Sequence, residues 1–308
     1  MKFAVAETVY GFIDEALNTT LSVGTTNVML GLGALIGTMW LLSFTMRGIT
    51  WLWMGMTVIF QDVVNELLKV AVIAGLAFNV GWYIKTIVPF VTQAPAWMGS
   101  ILSGQNGSQA NQIDLMVSTY VTSLLQLISA MNFSFWDMEF KAVVLGSMAI
   151  LFYIAGGIPF IATAIITMVI IKFASTLLLV LGPLFIIFAL FDSTRHWFWN
   201  WVSNLAGFML AQVMFAIIFS LELNFIYKFI IKNGHIDSSI EGLFSMMIFF
   251  AVFLAIMTEV PNYAASIMGG TPVGGSGFLK TVTGLRPALK AANFFRKKLP
   301  KPSGNSIQ

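Results

Sequence analysis

The 308-residue sequence contains no cysteine, only two histidines (His196 and His235), and few charges, with Asp, Glu, Lys and Arg making up 9%. The missing cysteines exclude disulfides, iron–sulfur clusters, thiolate zinc sites and a cysteine nucleophile. Two separated histidines offer little for metal or acid–base work, so no metal or cofactor is expected. A soluble domain carries roughly a quarter charged residues, and this chain lacks the ionic side chains to cover a water-facing surface of its size. A soluble enzyme, a secreted disulfide module and a disordered segment are therefore excluded. Strand-length alternation broken by regular turns is also missing, which argues against a membrane barrel. What is present is apolar: 58% hydrophobic residues and a mean hydropathy of +0.87. These values predict an all-α, polytopic transmembrane protein, since helices satisfy their own backbone groups in lipid.

The chain divides by composition into residues 1–27, an N-terminal amphipathic segment; 28–90, a first membrane region; 91–141, an extracytoplasmic loop; 142–260, the main membrane region; and 261–308, a basic tail. Glu7, Asp14 and Glu15 interrupt the place where a signal peptide would need its apolar core, so no cleavable signal is expected. Phe3, Ala6, Tyr10, Ile13, Leu17 and Leu21 recur at helical spacing, a stripe suited to a partner, the membrane interface or the chain's own bundle. Apolar runs of spanning length follow at 28–46, at 70–83 (extending to Pro89 if Lys85 snorkels), at 142–171, at 173–191, at 196–221 and at 242–258. Gly156, Gly157 and Pro159 make the 142–171 run one long kinked span or a span joined to a tight turn. The Trp- and Met-rich run 49–60 is too short to span and reads as interfacial or as an extension of the first helix.

Charge sets the orientation. Residues 86–140 carry no Lys or Arg, whereas Lys280, Arg286, Lys290, Arg296, Lys297, Lys298 and Lys301 crowd the tail without an acid among them. By the positive-inside rule the former lie outside the cytoplasm and the latter inside. An odd number of crossings must then follow residue 141. The 173–191 run, interrupted by Gly182 and Pro183 and flanked by Lys172 and Arg195, is expected to re-enter instead of crossing. Five crossings result, with the N-terminus periplasmic and the C-terminus cytoplasmic. Lys228 and Lys232 then fall on the outer side, against the rule.

Within the outer loop, residues 92–111 hold Pro95, Gly99, Gly104, Gly107 and several polar side chains and are expected to form a flexible loop. Ile113, Val117, Tyr120, Leu124, Leu127 and Met131 then alternate steps of four and three, an a/d seam. Such a seam needs a symmetry mate, a different subunit or the bundle beneath to bury it, and an oligomer or partner interface is the favoured expectation. Gly33 with Gly37, and Gly207 with Ala211, are small-residue faces for close helix approach. Lys172, Asp192, Arg195, Glu222 and Glu259 are charges within or beside apolar runs, where relays and pathways are usually sought, although each alone also suits an interfacial belt. Asp192 and Arg195 can pair across one turn, or Arg195 can lie among Trp197, Phe198, Trp199 and Trp201. Residues 274–281 superficially suggest a phosphate loop, but Leu279 stands where the glycine before lysine should be. No nucleophile with a partnered base is found, and no enzymatic activity is expected.

One block is more specific than composition: Leu181, Gly182, Pro183, Leu184 and Phe185, then Phe191 to Arg195, then Trp197, Phe198 and Trp201, leading into another apolar span. It resembles the TrbL-like polytopic inner-membrane subunits of type IV secretion systems, the class of the sixth component of VirB-type conjugation machines. The order of elements across most of the chain is similar, through Val260, Pro261, Asn262, Tyr263 and Ala264 to Gly269 and Gly270. The resemblance implies an inner-membrane homo-oligomer serving as a platform for pilus assembly and substrate translocation, with Gly182, Pro183, Arg195, Trp197 and Trp201 as its candidate functional motif. It also implies contacts with the minor pilin, the major pilin, other inner-membrane and periplasmic subunits, the lipid bilayer and, transiently, a DNA or protein substrate. Energy would come from separate ATPases. The alternative class is a secondary transporter or channel for a small solute, which typically shows two similar halves around broken helices. No such repeat is visible here.

Overall fold

The structure is a computed structural model that describes residues 5–53, 56–104, 109–130, 140–226, 228, 231–232, 235–236 and 240–271. Its elements are α1 (Val5–Trp51), α2 (Met56–Phe78), α3 (Val80–Trp82), a π turn (Tyr83–Ile87), α4 (Val88–Ser103), α5 (Gln109–Ala130), α6 (Phe140–Val180), α7 (Gly182–Phe188), α8 (Arg195–Phe225) and α9 (Ile240–Met268). An antiparallel pair, β1 (Ile231–Lys232) and β2 (His235–Ile236), lies between the last two helices. Among the described residues the architecture is helical apart from this ribbon and short turns.

Three described helices are long and apolar enough to cross a membrane: Val144–Val180, Arg195–Phe225 and Glu241–Met268. The pair Ile59–Phe78 and Tyr83–Ser103, bent by 73°, makes a fourth candidate if it counts as one broken span. Residues 28–46 lie within α1, a 47-residue helix that runs unbroken through the expected boundary at residue 27. It also extends into the Trp- and Met-rich segment as far as Trp51.

Side-chain pairs fix how the long helices run. Trp201 of α8 meets Leu178 of α6, and Phe208 and Ile171 line one cleft, so these helices are antiparallel. Gly207 of α8 approaches Ala264 and Ala265 of α9, while Phe225 meets Phe249, again antiparallel. Phe160 lies edge-on to Phe253 at 6.2 Å and Gly156 faces Phe250, so α6 and α9 run the same way. In α4, Gly99 lies against Ala216 and the Ser103 carbonyl accepts from the Ser220 hydroxyl at 2.8 Å, which sets α4 parallel to α8.

Four expectations are corrected. Residues 92–103 are not a flexible loop. They belong to α4, where Pro89 sits in the first turn and Val91, Pro95 and Gly99 are buried, so the residues taken as loop punctuation serve packing. Gly156 and Gly157, followed by Pro159, lie inside the one long helix α6, so of the two expected alternatives the tight turn does not form. They leave room for aromatic neighbours, because a Cβ on Gly157 would stand 2.0 Å from the Tyr120 ring and one on Gly156 would stand 2.8 Å from Phe250. The segment 173–191 is not a separate element, since residues 173–180 complete α6 and only the seven-residue α7 is set apart. The bundle continues past residue 260, because α9 carries Pro261 within it. The helix α9 stops before Gly269, whose φ of 72° and whose neighbour's amide bond from Gly270 to the Ala265 carbonyl (3.0 Å) make a left-handed helix cap.

The larger core gathers α5, α6, α8 and α9, with Tyr10 of α1. At its centre Tyr120 and Tyr153 stack 4.5 Å apart, and each hydroxyl donates to the other residue's backbone carbonyl. A second core joins Ile36 of α1, Ala77 of α2, the Tyr83 turn, Leu179, α7 and the start of α8.

Candidate functional site

The site is built from a helix interruption. Pro183 has no amide hydrogen, so the carbonyl four residues before it, Leu179, has no helical partner. The Tyr83 hydroxyl donates to that carbonyl at 2.7 Å. One residue back, the Leu178 carbonyl accepts from the Trp201 indole Nε1 at 2.8 Å. Tyr83 is fully buried and Trp201 is buried; the Tyr83 bond is enclosed and the Trp201 bond partly so. Such a bond contributes about 0.5–1.5 kcal/mol net, and leaving the acceptor unpaired costs more.

Gly182 makes the arrangement possible, since a Cβ there would lie 1.9 Å from the Tyr83 hydroxyl and 3.0 Å from Trp201. Tyr83 is brought to this point by an equally local device. Asn79 ends α2 and its Oδ1 accepts the Trp82 amide at 3.0 Å, restarting the helix in a new direction. The π turn Tyr83–Ile87 follows. Two broken helices therefore meet, the first supplying a donor that the second lacks. Trp201 stacks on Phe185 of α7 at 6.1 Å, and Trp197 packs edge-on against Phe188 at 4.9 Å.

Beside this joint is a charged network. Arg47 of α1 binds Glu66 of α2 at 2.9 Å and Asp192, in the α7–α8 turn, at 3.0 Å. Lys69 lies 3.7 Å from Asp192 and 3.9 Å from Glu66, and Arg195 pairs with Asp192. Partial desolvation pushes the Asp192 carboxyl up, but the charges of Lys69, Arg195 and Arg47 and the hydrogen bond from Arg47 outweigh it and hold it below the usual carboxylate range. Asp192 is exposed, so each pair contributes only about 0–1 kcal/mol. Position is what the network supplies: one carboxylate ties the α1–α2 connection to the end of the broken segment. A separate pair, Lys172 with Asp14 at 2.7 Å, ties α1 to α6.

Of the motif read from sequence, Gly182, Pro183 and Trp201 meet at the joint and Trp197 lies at its edge. Arg195 is placed differently from the stacked arrangement. Among the described residues its contact is the Asp192 carboxylate, the other expected alternative, one turn away. Tyr83, Arg47, Glu66 and Lys69 were not singled out from sequence. Their signal was weak: charges flanking apolar runs, and a tyrosine four residues after an asparagine.

The seam on α5 turns inward. Ile113 and Tyr120 are buried in the chain's own core, with Val117 and Leu124 packed against it, so Ile113 and Tyr120 cannot serve another subunit without opening the bundle. The buried stripe is Ile113, Met116, Tyr120 and Ser123. The Leu127 side chain, Met131 and the basic tail from residue 272 lie outside the described residues. No cluster of three His, Cys, Asp or Glu side chains that could hold a metal occurs among the described residues.

Long apolar helices, a capped helix break and a charged network beside it mark a multi-pass helical membrane protein. The model of the TrbL/VirB6 plasmid conjugal transfer protein family matches residues 40–232, a stretch that includes the whole joint, and the chain belongs to that family. The Type IV secretion system protein VirB6 of Bartonella henselae is 22% identical over 321 residues, covering 99% of this chain and 95% of its own. The Type IV secretion system protein VirB6 of Bartonella quintana is 26% identical over 220 residues, covering 69% of this chain and 63% of its own.

Proposed function

We propose that this chain is an inner-membrane structural and channel subunit of a type IV secretion (conjugation) system, forming an oligomeric platform for pilus assembly and substrate translocation. The observation that carries the reading is the joint: Tyr83 and Trp201 capping the carbonyls freed at Gly182 and Pro183, with Asp192 anchoring α1 and α2 beside it. A joint of this kind positions helices and leaves chemistry to other subunits. The names of the relatives and the family match extend the reading to a secretion machine.

In this proposal the chain crosses five times, by α1, the α4 end of the bent pair, α6, α8 and α9. The pairing directions support it, since α4 runs with α8 and against α6 and α9. Arg47, Lys69 and Arg195 then gather at the end where the tail begins, Thr271 being held by the Asn204 carboxamide at 2.8 Å. That end is cytoplasmic and the N-terminus periplasmic. The platform is a homo-oligomer whose partners are the minor pilin, the major pilin and other inner-membrane and periplasmic subunits, with lipid around it and DNA or protein substrate passing transiently.

Co-purification from the native membrane tests the assignment. Pilins and other secretion subunits should accompany the chain, and uptake of a small solute by vesicles holding the purified chain alone would oppose it. Within the machine, Arg195→Ala should reduce substrate transfer more than protein level, while Arg195→Lys keeps the charge facing Asp192 and should retain part of the activity. Full transfer by both variants would reduce this block to packing.

A further inference from the structure

Glu222 lies in the last turn of α8 and takes no part in the joint. It is 2% exposed, and its Oε2 has no hydrogen-bond partner. Its surroundings are neutral and already engaged. The Tyr120 and Tyr153 hydroxyls, within electrostatic range of Glu222, donate to each other's backbone carbonyls. Ser220 donates to the Ser103 carbonyl of α4, and Ser123 of α5, 1% exposed, bonds Tyr153.

No counter-charge is paired with it among the described residues. On α1, Asp14 pairs with Lys172 of α6, and the Glu7 amide donates to Asp114 of α5. α4 carries no charged residue. On α9, Glu241 is exposed and Glu259 accepts from Asn262. Lys228, beyond the end of α8, is exposed. A carboxylate ion enclosed without a partner is strongly disfavoured, whereas the neutral acid differs little in shape or polarity from a glutamine.

We propose that Glu222 is a proton-binding site whose neutral form holds α5 against α6 and α8. When the proton leaves to solvent water, a charge remains in this layer, and the water needed to solvate it enters between α5 and the α6–α8 pair. Protonation then closes the layer and deprotonation loosens α5.

The full chain in lipid nanodiscs allows a direct test. Infrared spectroscopy at neutral pH should show the carbonyl stretch of a protonated carboxylic acid in the natural sequence, lost in Glu222→Gln. Because the chain has no cysteine, Ser123→Cys gives a single thiol inside the layer. Its maleimide labelling, measured with Glu222 retained and in the Glu222→Gln background, should be equal at about pH 6 and about tenfold faster with Glu222 retained at about pH 9. Comparison at one pH cancels the thiol's own ionisation. Absence of the acid band, or equal labelling at both pH values, overturns the proposal. So does failure of Glu222→Gln to fold, since an amide of the same shape must replace a neutral acid.

Discussion

Removing the Tyr83 hydroxyl should expose the physical logic of the joint. Tyr83→Phe keeps the ring in its buried seat but leaves the Leu179 carbonyl with no donor, because Pro183 cannot supply one. An unsatisfied buried carbonyl costs about 1–3 kcal/mol, so Tyr83→Phe should lower stability by that order. Pro183→Ala restores an amide four residues after Leu179, and in that background the loss should shrink. The coupling in the double-mutant cycle should therefore be at least about 1 kcal/mol, with the double variant better than the sum of the singles. Thermal midpoints of the purified chain in nanodiscs, taken at one scan rate because membrane proteins often unfold irreversibly, provide the comparison. Equal costs of Tyr83→Phe with and without Pro183 would refute the argument that the hydroxyl replaces a missing amide.

Three further outcomes follow from the same geometry. Gly182→Ala places a methyl group where the Tyr83 hydroxyl stands, and should destabilise by about 1–3 kcal/mol, an effect relieved in part by adding Tyr83→Phe. Asp192 has its carboxyl held below the usual range, so its contribution is present above the unfolded value of about 3.9 and is lost as pH falls through the lower folded value. Stability measured from about pH 5 downward should therefore fall less steeply in Asp192→Asn than in the natural sequence. Reporter fusions active only in the periplasm should be active at Ser108 and silent after Lys290, and equal activity at both would overturn the five-crossing proposal.

Much of this protein follows from composition and spacing. Low charge and long apolar runs dictate a helical membrane protein, since nothing else buries so many apolar side chains while satisfying the backbone in lipid. The block from Gly182 to Trp201 was sufficient to suggest the family that its match then bore out. Pro183 also announces, from its missing amide alone, that a carbonyl nearby needs another donor. Which donor answers is a different matter. Tyr83 is 96 residues from Leu179 in sequence, and its place there depends on the bend at Asn79 and on the absence of a Cβ at Gly182.

The same limit explains the other differences. Glycine and proline signal a loop, a kink or a close approach with equal force in one dimension. At Gly99, Gly156 and Gly157 the neighbour is a side chain from a distant helix, so only the packed bundle decides for close approach. Periodicity placed Ile113 and Tyr120 on one face of α5, but a periodic face names no partner. The Tyr120–Tyr153 stack chose the chain's own core. Charges flanking apolar runs mark helix ends, whereas the gathering of Arg47, Lys69 and Arg195 on Asp192 joins three separate stretches of chain. Local pattern determines which segments are helices and which faces must be buried, because those depend on neighbours a few residues away. Tertiary structure alone decides what buries them and which donor meets which orphaned acceptor, because those partners are set by distance in space.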